Sequence, residues 1–356
     1  MKKIKTAVLG CTGLVGRQFV RLLENHPFFV LACLTASARS AGKSYGEVST
    51  DFCRPVVAAL CIRETRAAAV IRSGARVVFS ALPAAVSNEL EEELRRSGIC
   101  VFSNSGAHRL DAAVPLLIPE VNADHLELVQ SQLRAHPGFI VTNPNCVVSG
   151  LAMALKPLTT FGLRNVMVTT FQAVSGGGRR GVVAWDIMGN VVPYIAGEEE
   201  KIVRETNKIL GSLKEARIES SHLEIYPSCS RVPVREGHLQ SVTVEFRQPV
   251  ASKTLAAAFA SFGTGSRQLA LPSAPVRPIL LLGNEDRPQP LLDVHAGEPL
   301  RARGMAVSVG RLRVHENRCS FFLLVHNTVR GAAGGSVLNA ELAFKKNLLG
   351  GLHGHD

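Results

Sequence analysis

Four stretches of this 356-residue chain hold side chains whose types and spacing could do chemistry. The sharpest is Asn143-Pro144-Asn145-Cys146, set between an apolar run, Phe139–Thr142, and a helical pattern that begins at Val147. A thiol at a helix start feels the positive end of the peptide dipoles, which favours thiolate. Free N–H groups in the same turn can hold an oxyanion. Most cysteines end as small buried hydrophobes; the Asn-Pro-Asn preface and the strand-to-helix position favour a nucleophile at Cys146. A thiolate needs an acid–base partner. His238 stands out among eleven histidines, because a turn at Arg235-Glu236-Gly237 lets it face one cleft together with Arg231. Either residue alone is as readily a surface or core side chain. In Gly197-Glu198-Glu199-Glu200-Lys201, Glu198 and Lys201 are three apart at a helix start and share a face. They could take an ammonium and a phosphate, or belong to an ordinary solvated charge run.

The fourth stretch is Gly10-Cys11-Thr12-Gly13-Leu14-Val15-Gly16, after the first apolar run. Glycines permit a tight turn and close approach to a pyrophosphate, and the helix that follows favours its negative charge. The alternative is a turn whose glycines serve packing alone. A site preferring NAD carries an acid about 20 residues further on. Here Thr35-Ala36-Ser37-Ala38-Arg39-Ser40 offers none. The hydroxyls of Ser37 and Ser40 and the guanidinium of Arg39 suit a ribose phosphate, hence NADP, although Arg39 could also be a plain loop residue.

The elements that must position these groups follow from the patterning. Ile4–Leu9, Phe28–Leu34, Val77–Leu82, Ile99–Phe102 and Phe139–Thr142 read as buried strands, separated by helical stretches such as Arg17–Glu24 and Ser87–Arg96. This alternation predicts an α/β fold with an N-terminal, Rossmann-like, doubly wound parallel sheet. After Cys146 comes a helix over Val147–Leu155. Longer alternating strands follow at Asn165–Val174, Leu239–Phe246, Met305–Val314 and Cys319–Asn327, as in a sheet with one covered face. That predicts an α+β second domain. Residues Pro272 to Pro299 read as an irregular connection, Ser336 to Leu349 as an amphipathic helix, and His353-Gly354-His355-Asp356 as a frayed tail. The expected division is 1–145 with 328–356 rejoining it, and 146–327.

Composition narrows the classes. Hydrophobic residues at 46% against 19% charged exclude a disordered chain, and the absence of any apolar run of 18 excludes a spanning helix. The apolar stretch before Cys11 is short of the roughly 7–15 residues that an export signal needs. A cytoplasmic protein is expected, with no membrane partner. Its eight cysteines form no C-x-x-C pair and are expected reduced. The net charge of +11 admits nucleic-acid binding, but Lys and Arg are scattered and aromatics make up only 5%. A basic surface for anionic substrates and a phosphorylated cofactor accounts for the charge equally well.

Taken in order, Asn143 to Cys146, Gln172-Ala173-Val174-Ser175-Gly176, Gly197 to Lys201, Arg231-Val232-Pro233-Val234 with His238, and Asn327-Thr328-Val329-Arg330-Gly331-Ala332-Ala333-Gly334-Gly335 resemble aspartate-semialdehyde dehydrogenase, in its archaeal and fungal branch. The likeness runs from Lys5 to about Leu349. It implies NADPH-dependent reduction of L-aspartyl 4-phosphate to the 4-semialdehyde through a thioester, feeding lysine or diaminopimelate, threonine and methionine synthesis. It implies Cys146 as nucleophile, His238 as acid–base and Gln172 as the orienting group for the acyl intermediate. Glu198 would hold the substrate ammonium and Arg231 the α-carboxylate. Lys201, Arg109 and Asn104 would lie on the phosphate side, the last two within Ser103-Asn104-Ser105-Gly106-Ala107-His108-Arg109. Gly10, Thr12, Gly13, Leu14, Val15, Gly16, Ser37, Arg39, Ser40, Ser175, Gly176 and Asn327 would contact the cofactor. It further implies a catalytic and dimerisation domain over 146–327, a homodimer or homotetramer, and a route that needs no metal. Val147-Val148 depart from the family, which has Ser-Thr there.

Two rivals remain at this stage. A malonyl-CoA reductase shares the fold, cofactor and thioester logic, but malonate has no ammonium for Glu198 to hold. A non-enzymatic nucleotide-sensing or nucleic-acid-binding protein would leave Cys146, Gln172 and His238 idle. The cofactor reading makes a direct prediction: Arg39→Ala weakens NADP binding far more than NAD binding. Titration of both nucleotides into wild type and variant checks it, and equal use of the two by the wild type would refute it.

Overall fold

The computed structural model describes residues 3–49, 51, 53–178, 181–263 and 270–349; the tail at 353–356 lies outside them. The first sheet has six strands, β1 (Ile4–Leu9), β2 (Phe29–Ala36), β3 (Ile62–Glu64), β4 (Val77–Ser80), β5 (Cys100–Ser103) and β6 (Ile140–Thr142), in the order β3-β2-β1-β4-β5-β6. Every pairing is parallel. Chain progression therefore reverses beside β1, the place where doubly wound sheets open a crevice for a ligand. Strands buried on both faces need continuous apolar runs, and β4 and β5 are buried throughout. Strand β3 went unforeseen because only Ile62 of Ile62-Arg63-Glu64 is buried.

The second sheet is mixed. Its strands are β7 (Leu163–Gln172), β10 (Glu224–Arg231), β11 (His238–Phe246), β12 (Ile279–Leu282), β13 (Val307–His315) and β14 (Arg318–Val325), in the order β10-β7-β11-β14-β13-β12. Strands β8 (Ser212–Lys214) and β9 (Arg217–Glu219) form a separate hairpin. β10 carries Pro227, which lacks an N–H and is tolerated because β10 is an edge. β12, the other edge, lies in the stretch expected to be irregular. Helices Cys146–Leu155, Glu198–Ile209 and Ser252–Ser261 cover one face. On the other face Met167 and Tyr226 are exposed while their neighbours Val166, Val168 and Ile225 are buried.

The expectation of an amphipathic C-terminal helix is corrected. The helix Gly334–Lys345 is buried on all sides from Gly334 to Ala343. Val337, Leu338, Leu342 and Ala343 join Phe19, Phe29, Phe79 and Phe102 in the core of the first sheet. Two of its polar residues find partners inside: Glu341 accepts from Ser273 and meets His26, and Asn339 Nδ2 donates to Leu117 O. A helix enclosed by protein needs no wet stripe.

Just ahead of that helix, Arg330 is 1% exposed and forks onto Glu120, with Nη1–Oε1 at 2.8 Å and Nη2–Oε2 at 2.7 Å. The pair joins the residues after β14 to the short helix Pro119–Asn122. Removing one member strands the other charge in the interior. Glu120→Ala is expected to cost about 3–5 kcal/mol of unfolding free energy, read from the shift in urea midpoint at constant slope. A loss within the error of the wild-type curve would show that the pair carries no such weight.

Candidate active site

A cleft of about 540 Å³ opens over the C-terminal ends of the first sheet and reaches the second domain. Gly10, Thr12, Gly13, Leu14 and Val15 line one end and Ser37 lies beside them. Gly10 has φ +73°, and a Cβ there would stand 2.9 Å from Ala81 O. The helix Leu14–Leu23 has Gly13 as its N-cap without a side-chain cap, so backbone donors face the cleft where a pyrophosphate would lie. This bare, Cβ-free turn fits a dinucleotide. Gly16 instead serves packing: a Cβ there would be 2.0 Å from Gly10 O. Arg39 is exposed and Ser40 buried, and neither lines the cleft.

Cys146 lines the other end, as first residue of the helix Cys146–Leu155. Asn145 caps this helix: its Oδ1 accepts from Val147 N at 2.8 Å and Val148 N at 3.4 Å. Val147 and Val148 are fully buried in the core of the second sheet. The cap is thus supplied by Asn145, and the two departures from the family pattern are apolar packing residues. Gly331 lies against Cys146; a Cβ there would lie 2.7 Å from Cys146 Cβ.

Charged groups surround the thiol. Glu198 Oε1 accepts from Asn145 Nδ2 at 2.9 Å and Gln172 Nε2 at 3.2 Å, and Lys201 Nζ lies 3.8 Å from its Oε2. Arg231 donates Nη1 to Ala173 O at 2.8 Å and, among the described residues, has no carboxylate in ion-pair contact. His238 Nδ1 accepts from Ala173 N at 3.1 Å, while its buried Nε2 has no partner. Gly176 roofs both: a Cβ there would meet Arg231 Nη1 at 2.6 Å and His238 Nε2 at 3.2 Å. Arg109 lines the cleft, held by Glu205 Oε1 at 3.0 Å and Asn104 O at 2.8 Å. Asn104 also lines it, with both side-chain amide atoms unpartnered. Asn327 lines it with its amide engaged, accepting from Gly237 N at 2.9 Å and donating to Ser175 Oγ at 2.8 Å. Glu198 and Arg231 act electrostatically on Cys146, Gln172 and Lys201 join through Glu198, and His238 stands with Arg231 under Gly176; none of the five lines the cleft.

The proton affinities follow from burial. Burial pushes the Cys146 thiol up to about 12, with Glu198 adding to it; Arg109, Arg231 and the N–H of Val147 pull the other way. The expected helix-end effect has the right sign, and desolvation outweighs it in the free protein. Burial, Arg231 and His326 hold His238 down at about 3, a neutral base.

Sequence reading missed Glu205 and assigned Asn145 no role. Glu205 Oε2 accepts from Asn145 N at 2.6 Å, opposite its bond to Arg109. The available signal was spacing: Glu198, Glu205 and Lys208 lie seven and three apart, on one face of the helix Glu198–Ile209. Lys208 Nζ donates to Arg109 O, Asp111 O and Val114 O, each at 2.8 Å, which holds the Arg109 loop.

The chain is similar over nearly its whole length to known proteins. Residues 5–129 match the family described as semialdehyde dehydrogenase, NAD binding domain, and residues 155–330 match semialdehyde dehydrogenase, dimerisation domain. An aspartate-semialdehyde dehydrogenase of Archaeoglobus fulgidus is 43% identical over 351 residues, covering 98% of this chain and all of that one. A malonyl CoA reductase (NADP) of Metallosphaera sedula is 36% identical over 358 residues, covering 98% and 99%. The crystal structure of aspartate semialdehyde dehydrogenase with NADP from Candida albicans superposes with a TM-score of 0.87 at 34% identity, covering 97% of this chain and 99% of that one. On the length and level of these matches, the chain belongs to the aspartate-semialdehyde dehydrogenase family.

Proposed function

We propose that this protein is an NADP-dependent aspartate-semialdehyde dehydrogenase, reducing L-aspartyl 4-phosphate to L-aspartate 4-semialdehyde. One observation carries the substrate: Arg231 and Glu198 both act electrostatically on Cys146, and Arg231 is a buried cation without an ion-pair partner among the described residues. A buried charge calls for a counter-charge. An α-carboxylate on Arg231 and an ammonium on Glu198 would set the 4-acyl carbon against Cys146. The malonyl-CoA reductase relative supports a second reading, in which the substrate would bring Glu198 no ammonium.

The division of labour is as follows. The Cys146 thiol gives its proton to neutral His238 once a bound ammonium offsets Glu198, which disfavours the thiolate, and a bound α-carboxylate offsets Arg231, which disfavours the imidazolium. Its sulfur attacks the 4-acyl carbon, the bond to phosphate breaks, and phosphate leaves toward Arg109, Asn104 and Lys201. The glycine turn at Gly10–Val15 would hold NADPH, which would supply the hydride that reduces the acyl group. Gln172 orients the acyl group. Protonated His238 returns its proton as the carbon–sulfur bond breaks. We further propose that 1–145 with 328–356 forms the cofactor domain and 146–327 the catalytic one, that Ser37, Arg39, Ser40, Ser175, Gly176 and Asn327 contact NADP, and that the enzyme is cytoplasmic and binds no nucleic acid. Among the described residues no helix is long and apolar enough to cross a membrane.

The test is phosphate-dependent NADP reduction with aspartate semialdehyde, set against NADPH oxidation with malonyl-CoA. Turnover of the first alone is expected. Cys146→Ser abolishes it while NADP still binds. Arg231→Lys raises KM strongly with a smaller fall in kcat, because ammonium cannot reproduce the two-pronged fork. His238→Asn lowers kcat by about 10²–10⁴-fold with KM little changed. Near-normal kcat in His238→Asn would send the acid–base role elsewhere.

The bare face of the second sheet, with Met167 and Tyr226 exposed, supports assembly into a dimer, or a tetramer of dimers, through a symmetric contact. A charged pair, Met167→Glu with Tyr226→Lys, is expected to shift the sedimenting species to a single chain. Wild type sedimenting at 38.1 kDa at working concentration would count against the dimer.

A further inference from the structure

Three ligating side chains that the reaction does not use meet beside the strands that carry His238. One atom each from Glu236, His295 and His326 lies within 4.8 Å of the others. They come from three segments: the turn between β10 and β11, the residues after the short helix Pro290–Asp293, and the end of β14. These segments are packed together. A Cβ on Gly237 would stand 3.1 Å from Val294 Cγ2 and 3.2 Å from Leu324 Cδ1. His326 is 1% exposed, and its Nδ1 is buried without a partner. Its Nε2 faces Glu236 Oε2 at 3.9 Å, and its ring lies 5.2 Å, centroid to centroid, from that of the exposed His295. A buried imidazole left short of hydrogen bonds, beside a second imidazole and a carboxylate, calls for a ligand.

We propose that Glu236, His295 and His326 bind a divalent transition-metal ion of the zinc and cobalt class, apart from the catalytic cysteine. Two imidazoles and one carboxylate suit such ions better than calcium or magnesium, and three protein ligands leave a fourth position for water. Tetrahedral bonds of about 2.0–2.2 Å set ligand atoms roughly 3.3–3.6 Å apart. Packed His326 then stays in place, while exposed His295 and half-buried Glu236 close on it. The ion fastens the turn that precedes His238 to the end of β14. The same turn already donates Gly237 N to Asn327.

The test uses the Cys146→Ser protein, in which the reactive thiol no longer competes for metal. Cobalt(II) is titrated in, visible ligand-field absorption is followed, and zinc(II) is then used to displace it. One ion per chain is expected, with magnesium and calcium inert. His295→Asn and Glu236→Gln, each added to Cys146→Ser, should weaken cobalt binding about tenfold or more. His295→Asn with Cys146 intact should keep wild-type turnover. Absence of saturable binding, or equal binding after His295→Asn, overturns the proposal. The readout needs no turnover, so it stands or falls apart from the reading of the cleft as an aspartyl-phosphate reductase.

Discussion

Glu205 sets one carboxylate oxygen 3.0 Å from Arg109 Nη1 and the other 2.6 Å from the backbone N–H of Asn145. Arg109 stands in a loop after β5 of the first sheet, Asn145 directly before Cys146, and Glu205 on a helix that covers the second sheet. One side chain therefore ties three parts of the chain together at the point where they must agree. Two turns back on the same helix face, Glu198 takes the side-chain amide of Asn145. Asn145 is consequently held at both its main chain and its side chain, which leaves Oδ1 free to cap the helix of Cys146. The position of the thiol follows from this clasp more than from its own contacts.

The opposite wall is fixed by a second constraint of different character. Arg330 is locked onto Glu120, and its neighbour Gly331 then lies against Cys146 at a distance that admits no side chain. Gly176 does the same over Arg231 and His238. Missing side chains thus shape the site as much as those present: at each place a charged or reactive group needs room that a methyl group would fill. Burial raises the cost of every charge enclosed this way, which is why the thiol rests protonated and His238 neutral before a ligand arrives.

What could be read from the residue string was local. The glycine turn, the strands of the parallel sheet other than β3 and the helix that starts at Cys146 each depend on a few consecutive residues, and each lies within about two residues of where the pattern put it. The shortfalls share one cause, because they depend on what folds against a segment. β10 reads poorly as a strand because of Pro227, which only its edge position excuses. Gly334–Lys345 was read with a wet face because nothing in its residues says that Phe19, Phe79 and Phe102 will surround it. The thiol's surroundings divide the same way. The dipole at its helix end was legible, whereas the desolvation that overrides it depends on walls brought from elsewhere in the chain. Glu205 was hidden for the same reason, although its spacing from Glu198 was in plain view.

The enclosed C-terminal helix bears on the order in which the molecule can be made. Synthesis proceeds from the N-terminus, and domains ordinarily fold as they emerge. Here the apolar surface of Phe19, Phe29, Phe79 and Phe102 stays uncovered until Val337, Leu338 and Leu342 have left the ribosome. The cofactor half is thus the first to be translated and among the last to be completed. The intervening second sheet has time to form on its own, and the final segment then closes the cofactor half's core. Nascent chains carry a greasy, half-built surface for most of their synthesis, the state in which a cell's chaperones find their clients. Because Gly331 sits just upstream of that closing segment, the wall behind Cys146 and the core of the cofactor half are finished in the same event.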